Sequence, residues 1–519
     1  MWHCFAAFPM VQGMVCLPQA PIGHTHHAAK WHIPSRVPKN AGPVPATAAV
    51  MLAATQRAWA SKPSKSQKES QKESLEEVIL ALMSLTSLTR RRDSRSIIAQ
   101  LEKLRMLRRE TMTWQAAAKL LDALEKVLDS SPSLGPPLPL DACVTALIAA
   151  ANAQALQRRK LSAERLDVFC QALERSLSAT EPSEAREPSE IERLPDLLSY
   201  GLWALVKLGD RGSFVLQRLL QRSVAEMQRF ESAHLSRLVW SLATATIRDG
   251  QILSSLAQRT QQVRLHPQLG LAMLAWSFAK LRFKEAGLME SISSHACGHV
   301  KLFKISELSN ITWAFATQQV PFATASPLFS AISETAVRGL EKFKHQELAM
   351  LLWSYAKLKI VERKLISAAS EDVLKRISPE AGGALRAQHL ANFAWAFAKM
   401  RSDRSDPSDP SDLDPSEVVM RLAVLALQRA EELKPLELAS LVWALAQSNG
   451  ASTASTRLAM HLTKEASTRR MKPQEPKIIA MGSWNFLYVS YMSPMKSVLA
   501  THANGLQSGK PISRSCSNS

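Results

Sequence analysis

Cysteine is scarce and unpatterned in this chain. The six cysteines, Cys4, Cys16, Cys143, Cys170, Cys297 and Cys516, make no CxxC pair and keep no regular spacing. That argues against a disulfide framework or a zinc ribbon and points to a reducing interior compartment. No apolar run reaches the roughly 18 residues a membrane span needs, so no membrane partner is expected. The sequence contains no phosphate-binding GxxxxGK[ST] loop, no GxSxG elbow and no kinase signature, and its acidic residues are scattered rather than paired. These absences predict a protein that is not an enzyme, with no catalytic residues and no cofactor. The histidines His295 and His299 stand at helical i,i+4 spacing beside Cys297. Without an HExxH glutamate or a second ligand pair they are expected to mark a helix end at Gly298 rather than a metal site.

Asp and Glu are missing altogether from residues 1–68, a stretch that carries Lys30, Arg36, Lys39, Arg57, Lys62, Lys65 and Lys68 among Ala, Ser, Thr and Pro. This is the composition of an organelle transit peptide, with the mitochondrion favoured and the plastid as the alternative. The histidines at 24, 26, 27 and 32 fall inside this leader and are not read as metal ligands. Over the whole chain the imbalance persists, with a formal net charge of +19 and a pI near 9.8. A polyanion is therefore the leading class of partner.

What the chain has in place of these features is a recurring tryptophan. Seven of its twelve tryptophans, Trp203, Trp240, Trp276, Trp313, Trp353, Trp395 and Trp443, are separated by 37, 36, 37, 40, 42 and 48 residues. Intervals of this size are the period of helical-hairpin solenoids. In every copy a leucine stands five residues before the tryptophan: Leu198, Leu235, Leu271, Leu308, Leu348, Leu390 and Leu438. Two residues after it comes Leu205, Leu242, Phe278, Phe315, Tyr355, Phe397 or Leu445. At about 100° per residue these positions fall about 20° apart and define one core face. The tryptophan points to the opposite side, among small residues four before and three after it. The predicted unit is an inner helix packed on both faces, a turn and a second helix such as 327–341.

One stripe remains. Three before the tryptophan stand Tyr200, Arg237, Met273, Asn310, Met350, Asn392 and Ser440; four after it stand Lys207, Thr244, Lys280, Thr317, Lys357, Lys399 and Gln447. A variable residue beside a mostly basic one, repeated along a solenoid, suits a surface that reads bases and neutralises phosphates. Lys207, Lys280, Lys357 and Lys399 are the candidate phosphate contacts. Tyr200, Arg237, Asn310 and Asn392 are the candidate base contacts, and the seven tryptophans are structural repeat-core residues.

The recurring Leu-Ala-x-Leu-Leu-Trp-Ala-x-Ala-Lys-Leu pattern, clearest at 348–358, 390–400 and 438–446, resembles the octotricopeptide repeat of organellar RNA-binding proteins. It is also similar to the helical region of FAST-kinase-like, RAP-domain-containing proteins and to the RNA-editing substrate-binding complex family. The resemblance covers about residues 190–465. It implies organellar RNA binding, in transcript stabilisation, processing, editing or ribosome assembly. No RAP domain is recognisable after Arg470, so no catalytic role is carried over with the resemblance.

The expectation is thus an all-α, right-handed α-solenoid of stacked helix-turn-helix repeats. Residues 1–68 form the leader, 69–189 a helical N-terminal cap with degenerate repeats, 190–468 seven repeats with an insertion at 403–415, and 469–519 a tail. Within the cap, 142–153 keeps the repeat rhythm with Ile148 at the tryptophan position, and 179–190 reads as a polar loop. Single-stranded RNA is the expected partner, with other RNA-processing proteins beside it. A protein-interaction scaffold without RNA contact is the alternative function.

Overall fold

The computed structural model describes residues 65–462 except 88–93, 107–111, 130–136, 158–159, 180–187, 267–269, 379–384, 403–414, 449–456 and 459–460. Most of the expected leader, nearly all of the 403–415 insertion and the whole tail from 469 lie outside the described residues. Among the described residues there are 18 α-helices and no strand, and no helix is long and apolar enough to cross a membrane.

The first five helices are α1 (Lys65–Ser87), α2 (Ser94–Met106), α3 (Trp114–Asp129), α4 (Leu140–Gln157) and α5 (Ala163–Ala179). The tryptophan repeats follow as α6 (Pro188–Leu208) and α7 (Phe214–Ala225), α8 (Ser232–Ala245) and α9 (Gly250–Gln262), α10 (Leu271–Leu281) and α11 (Leu288–Cys297). They continue as α12 (Ile305–Gln318) and α13 (Phe322–Val337), α14 (His345–Leu358) and α15 (Arg363–Arg376), α16 (Ala387–Ser402) and α17 (Ser416–Gln428), then α18 (Pro435–Ser448).

The even-numbered helices form one continuous row. Each packs on the next from α2 to α18, with the tryptophan helices α6 to α16 each lying between two neighbours in that row. The odd-numbered helices form a second row behind it, in which α11 meets α13, α13 meets α15 and α15 meets α17. This two-layer stack of hairpins is an all-α solenoid. The row extends upstream of the tryptophans, because α4 packs on α6 as the tryptophan helices pack on one another.

The face expected to be core is core. The leucines five before tryptophan and the large residues two after it are at most 2% exposed in all seven copies. Within that face the Tyr355 hydroxyl donates to the Phe329 carbonyl of α13 at 2.6 Å, which satisfies the polar end of a fully buried ring.

Three boundaries differ from expectation. α1 takes in Lys65 to Lys68, assigned by composition to the leader, because Lys, Gln and Glu continue there as good helix formers. α6 begins at Pro188, three residues inside the expected loop; proline fits the first helical position, where its missing N–H costs nothing. α13 begins at Phe322 rather than Pro327, and its first turn buries Ala325 completely.

Two devices that the periodicity did not reveal close ends of the tryptophan helices, both of them in α8, α12 and α14 and one of them in each of α6, α10, α16 and α18. Six residues before tryptophan, Glu307, Glu347 and Glu437 accept the N–H of Lys304, Lys344 and Lys434 at 2.8, 3.0 and 2.8 Å. His234 and His389 occupy the same position and accept the N–H of Glu231 and Arg386 through Nδ1, at 3.0 and 3.3 Å. This is half of a capping box, with histidine substituting for glutamate in two repeats. Six residues after tryptophan the backbone turns left-handed at Gly209, Thr246, Arg282, Gln319 and Lys359. The next N–H returns to the carbonyl two after tryptophan, as from Ile360 to Tyr355 at 3.0 Å and from Val320 to Phe315 at 3.1 Å, the six-to-one bond of a Schellman motif. A cap at a constant distance from the tryptophan, at both ends in α8, α12 and α14 and at one end in the others, sets the same register from repeat to repeat, so equivalent side chains line up.

Candidate nucleic-acid interface

That alignment brings the tryptophans into a ladder. Ring centroids are 6.4 Å apart for Trp203 and Trp240, 6.4 Å for Trp276 and Trp313, 6.3 Å for Trp353 and Trp395, and 5.9 Å for Trp395 and Trp443. Their planes are inclined by between 31° and 40°. Buried alanines such as Ala279, Ala316, Ala356 and Ala398, three residues after the tryptophan, allow the helices to approach this closely. Trp240 and Trp313 are buried, at 6% and 7% exposure. Trp203, Trp276, Trp353, Trp395 and Trp443 are half-buried, packed on the core with part of each ring in solvent.

The stripe lies on this same face. Positions three before and four after tryptophan are about 60° and 40° from it around the helix, near enough for side chains to touch the indoles. Lys207 Nζ lies 5.7 Å from the Trp203 ring centre and 5.8 Å from that of Trp240, bridging two repeats. Lys280 Nζ lies 4.7 Å above Trp276. Ammonium groups held over indole faces are favoured by the ring quadrupole. Lys357 and Lys399 are half-buried at the equivalent sites of α14 and α16.

The candidate base-contacting residues are placed unequally. Asn310 and Asn392 are half-buried on the stripe. Met350 and Ser440, at the same position in other repeats, are buried at 7%. Tyr200 and Arg237 pair with one another, the guanidinium carbon standing 3.8 Å from the phenol ring centre. Arg237 donates through Nη2 to Asp196 Oδ1 at 2.8 Å and through Nε to Ser199 Oγ at 3.1 Å. His234 Nε2 approaches the same carboxylate oxygen at 3.2 Å. Burial pushes the Asp196 carboxyl up, but the hydrogen bonds and charges of His234 and Arg237 outweigh it and hold the group below its usual range.

The electrostatics of the face are one-sided. Between five residues before and six after each of the seven tryptophans the sequence carries Lys207, Arg237, Lys280, Arg282, Lys357, Lys359, Lys399 and Arg401, with no Asp or Glu. Carboxylates of the tryptophan helices stand outside this window, as with Asp196, which is paired with Arg237, and the capping Glu307, Glu347 and Glu437. Others lie on the second-layer helices and at the hairpin turns, as with Asp372 of α15 beside Arg376 and Glu432 beside Arg429. This exclusion of acid was readable in the sequence, and it is a stronger signal than the single lysine position. Away from this face, the His295 and His299 rings each face the carbonyl four residues back, at 2.7 and 3.0 Å. Among the described residues no group of three or more His, Cys, Asp or Glu could hold a metal ion.

Fold and site together define a class: an α-solenoid with an acid-free, aromatic and basic ladder along one row of helices. Residues 202–323, which run from the first tryptophan helix into α13, match the family described as RNA-editing substrate-binding complex 6 protein. That stretch is similar to an RNA-editing-related helical family. No curated protein matches the chain.

Proposed function

We propose that this protein binds single-stranded RNA along the tryptophan ladder and acts without catalysis, in organellar RNA editing, processing, transcript stability or ribosome assembly. The observation that carries the reading is the acid-free ladder of half-buried indoles with lysines over their faces. Indole faces stack on unpaired bases of any sequence, and each such contact contributes on the order of 1–3 kcal/mol. Adjacent lysines neutralise phosphates, and their contribution weakens as salt rises. The description of the matching family, an RNA-editing substrate-binding complex protein, supports RNA and other proteins of a complex as partners. The acid-free leader supports import into the mitochondrion, with the plastid as the alternative.

The test is a titration of the full chain with single-stranded and double-stranded RNA, following anisotropy of labelled RNA and tryptophan emission together. Single-stranded RNA should bind more tightly, quench the indoles and release as salt increases. If neither RNA binds while the chain captures partner proteins, the alternative of a pure interaction scaffold replaces this reading.

A further inference from the structure

Arg237 is held on three sides. Asp196 fixes Nη2, Ser199 fixes Nε and the Tyr200 ring covers one face of the guanidinium. The side chain is only 14% exposed. A residue needed for charge alone gains nothing from this restraint, since a flexible lysine neutralises phosphate equally well. The restraint has a chemical consequence. The Nε–Nη2 edge is occupied inside the protein, whereas Nη1 has no hydrogen bond among the described residues and is not a buried atom. The end edge, Nη1 with the second hydrogen on Nη2, therefore keeps two parallel donors in a fixed plane. It stands three residues before Trp240, whose ring lies beneath Lys207, so a base contact and a phosphate contact fall side by side.

We propose that Arg237 is a specificity-determining residue that forks onto a base presenting two adjacent acceptors. Guanine does so through N7 and O6, and cytosine through N3 and O2. Adenine and uracil present no such adjacent pair, because each sets a donor beside its acceptor. Tyr200 and Asp196 act as positioning residues that fix the plane of the fork. The proposal rests on the RNA-binding reading above and goes beyond it by assigning a base class to the second repeat.

The experiment measures binding of the full chain to oligouridine in which a single G, C or A is moved through each position, at constant salt and below the melting temperature of every variant. Wild type should bind the best-placed G or C oligomer roughly ten-fold more tightly than oligouridine, the discrimination of one good forked contact. The G and C arms identify which base is read. Arg237→Lys keeps the charge and loses the fork; it should bind oligouridine nearly as wild type does and show no preference. Arg237→Gln should lose the preference as well. A uniform loss across all oligomers with preference intact would make Arg237 a phosphate or packing residue and overturn the proposal. Failure of wild type to bind any oligomer would instead remove the RNA reading on which it rests.

Discussion

Lys207 touches two indoles at once and Lys280 one, so these cations belong to the aromatic ladder rather than to a stripe beside it. Replacing Lys280, Lys357 and Lys399 together with Ala should weaken RNA binding and reduce the salt slope by up to about one unit for each phosphate no longer neutralised. An unchanged slope in a salt titration would exclude these lysines as phosphate ligands. The tryptophans divide by burial. Trp313→Ala removes a buried ring and should destabilise the fold by roughly 3–5 kcal/mol in chemical denaturation. Trp353→Ala, at a half-buried ring, should cost less stability and more RNA affinity; equal effects of the two variants on both readouts would show that burial does not separate packing from binding.

At the scale of the helix, four non-glycine residues occupy left-handed backbone six residues after tryptophan, among them Gln319 at φ 55° and Lys359 at φ 58°. Side chains crowd the following carbonyl there, at about 1–2 kcal/mol per residue, and glycine avoids the clash. Gln319→Gly should therefore raise the denaturation midpoint, whereas a lower midpoint would mean that the Gln319 side chain contributes more than its strained backbone costs. The histidine caps add a dependence on pH. Burial, then the nearby charges of His345 and Arg386, depress His389 to about 4, and its Nδ1 must be unprotonated to accept the Arg386 N–H. Because the folded value lies below the unfolded one of about 6.5, this stability is present above about pH 6.5 and is lost as pH falls toward 4. Melting temperature should fall between pH 7 and 5, and less so in His389→Gln, since glutamine still accepts at this position. Identical pH profiles would mean that the His389 cap contributes nothing to the acid sensitivity of the fold.

Across the whole molecule, the periodic features were legible in the sequence and the depth of each side chain was not. Tryptophan recurs at a near-constant interval, and leucine five before it marks the buried face in every copy, so repeat, hairpin and core could be read directly. Angles around one helix did not reveal that an indole reaches across its own stripe to meet the next repeat, because that depends on the separation of neighbouring helices, which alanines set. The glutamate caps were legible in Phe-Lys-x-x-Glu-Leu at 303–308 and 343–348. His234 and His389 were not, since histidine signals no cap by itself. The pairing of Tyr200 with Arg237 joins two helices 37 residues apart in sequence, which no local pattern encodes.

Which row of helices meets RNA is tested most directly by ultraviolet crosslinking of the full chain to single-stranded RNA, followed by mass spectrometry of the adducts. Adducts are predicted on the even-numbered helices from α6 to α18, at the half-buried tryptophans and the residues three before and four after them. Adducts confined to the odd-numbered helices or to the tail beyond 469, with the ladder unmarked, would contradict RNA binding along the tryptophan row.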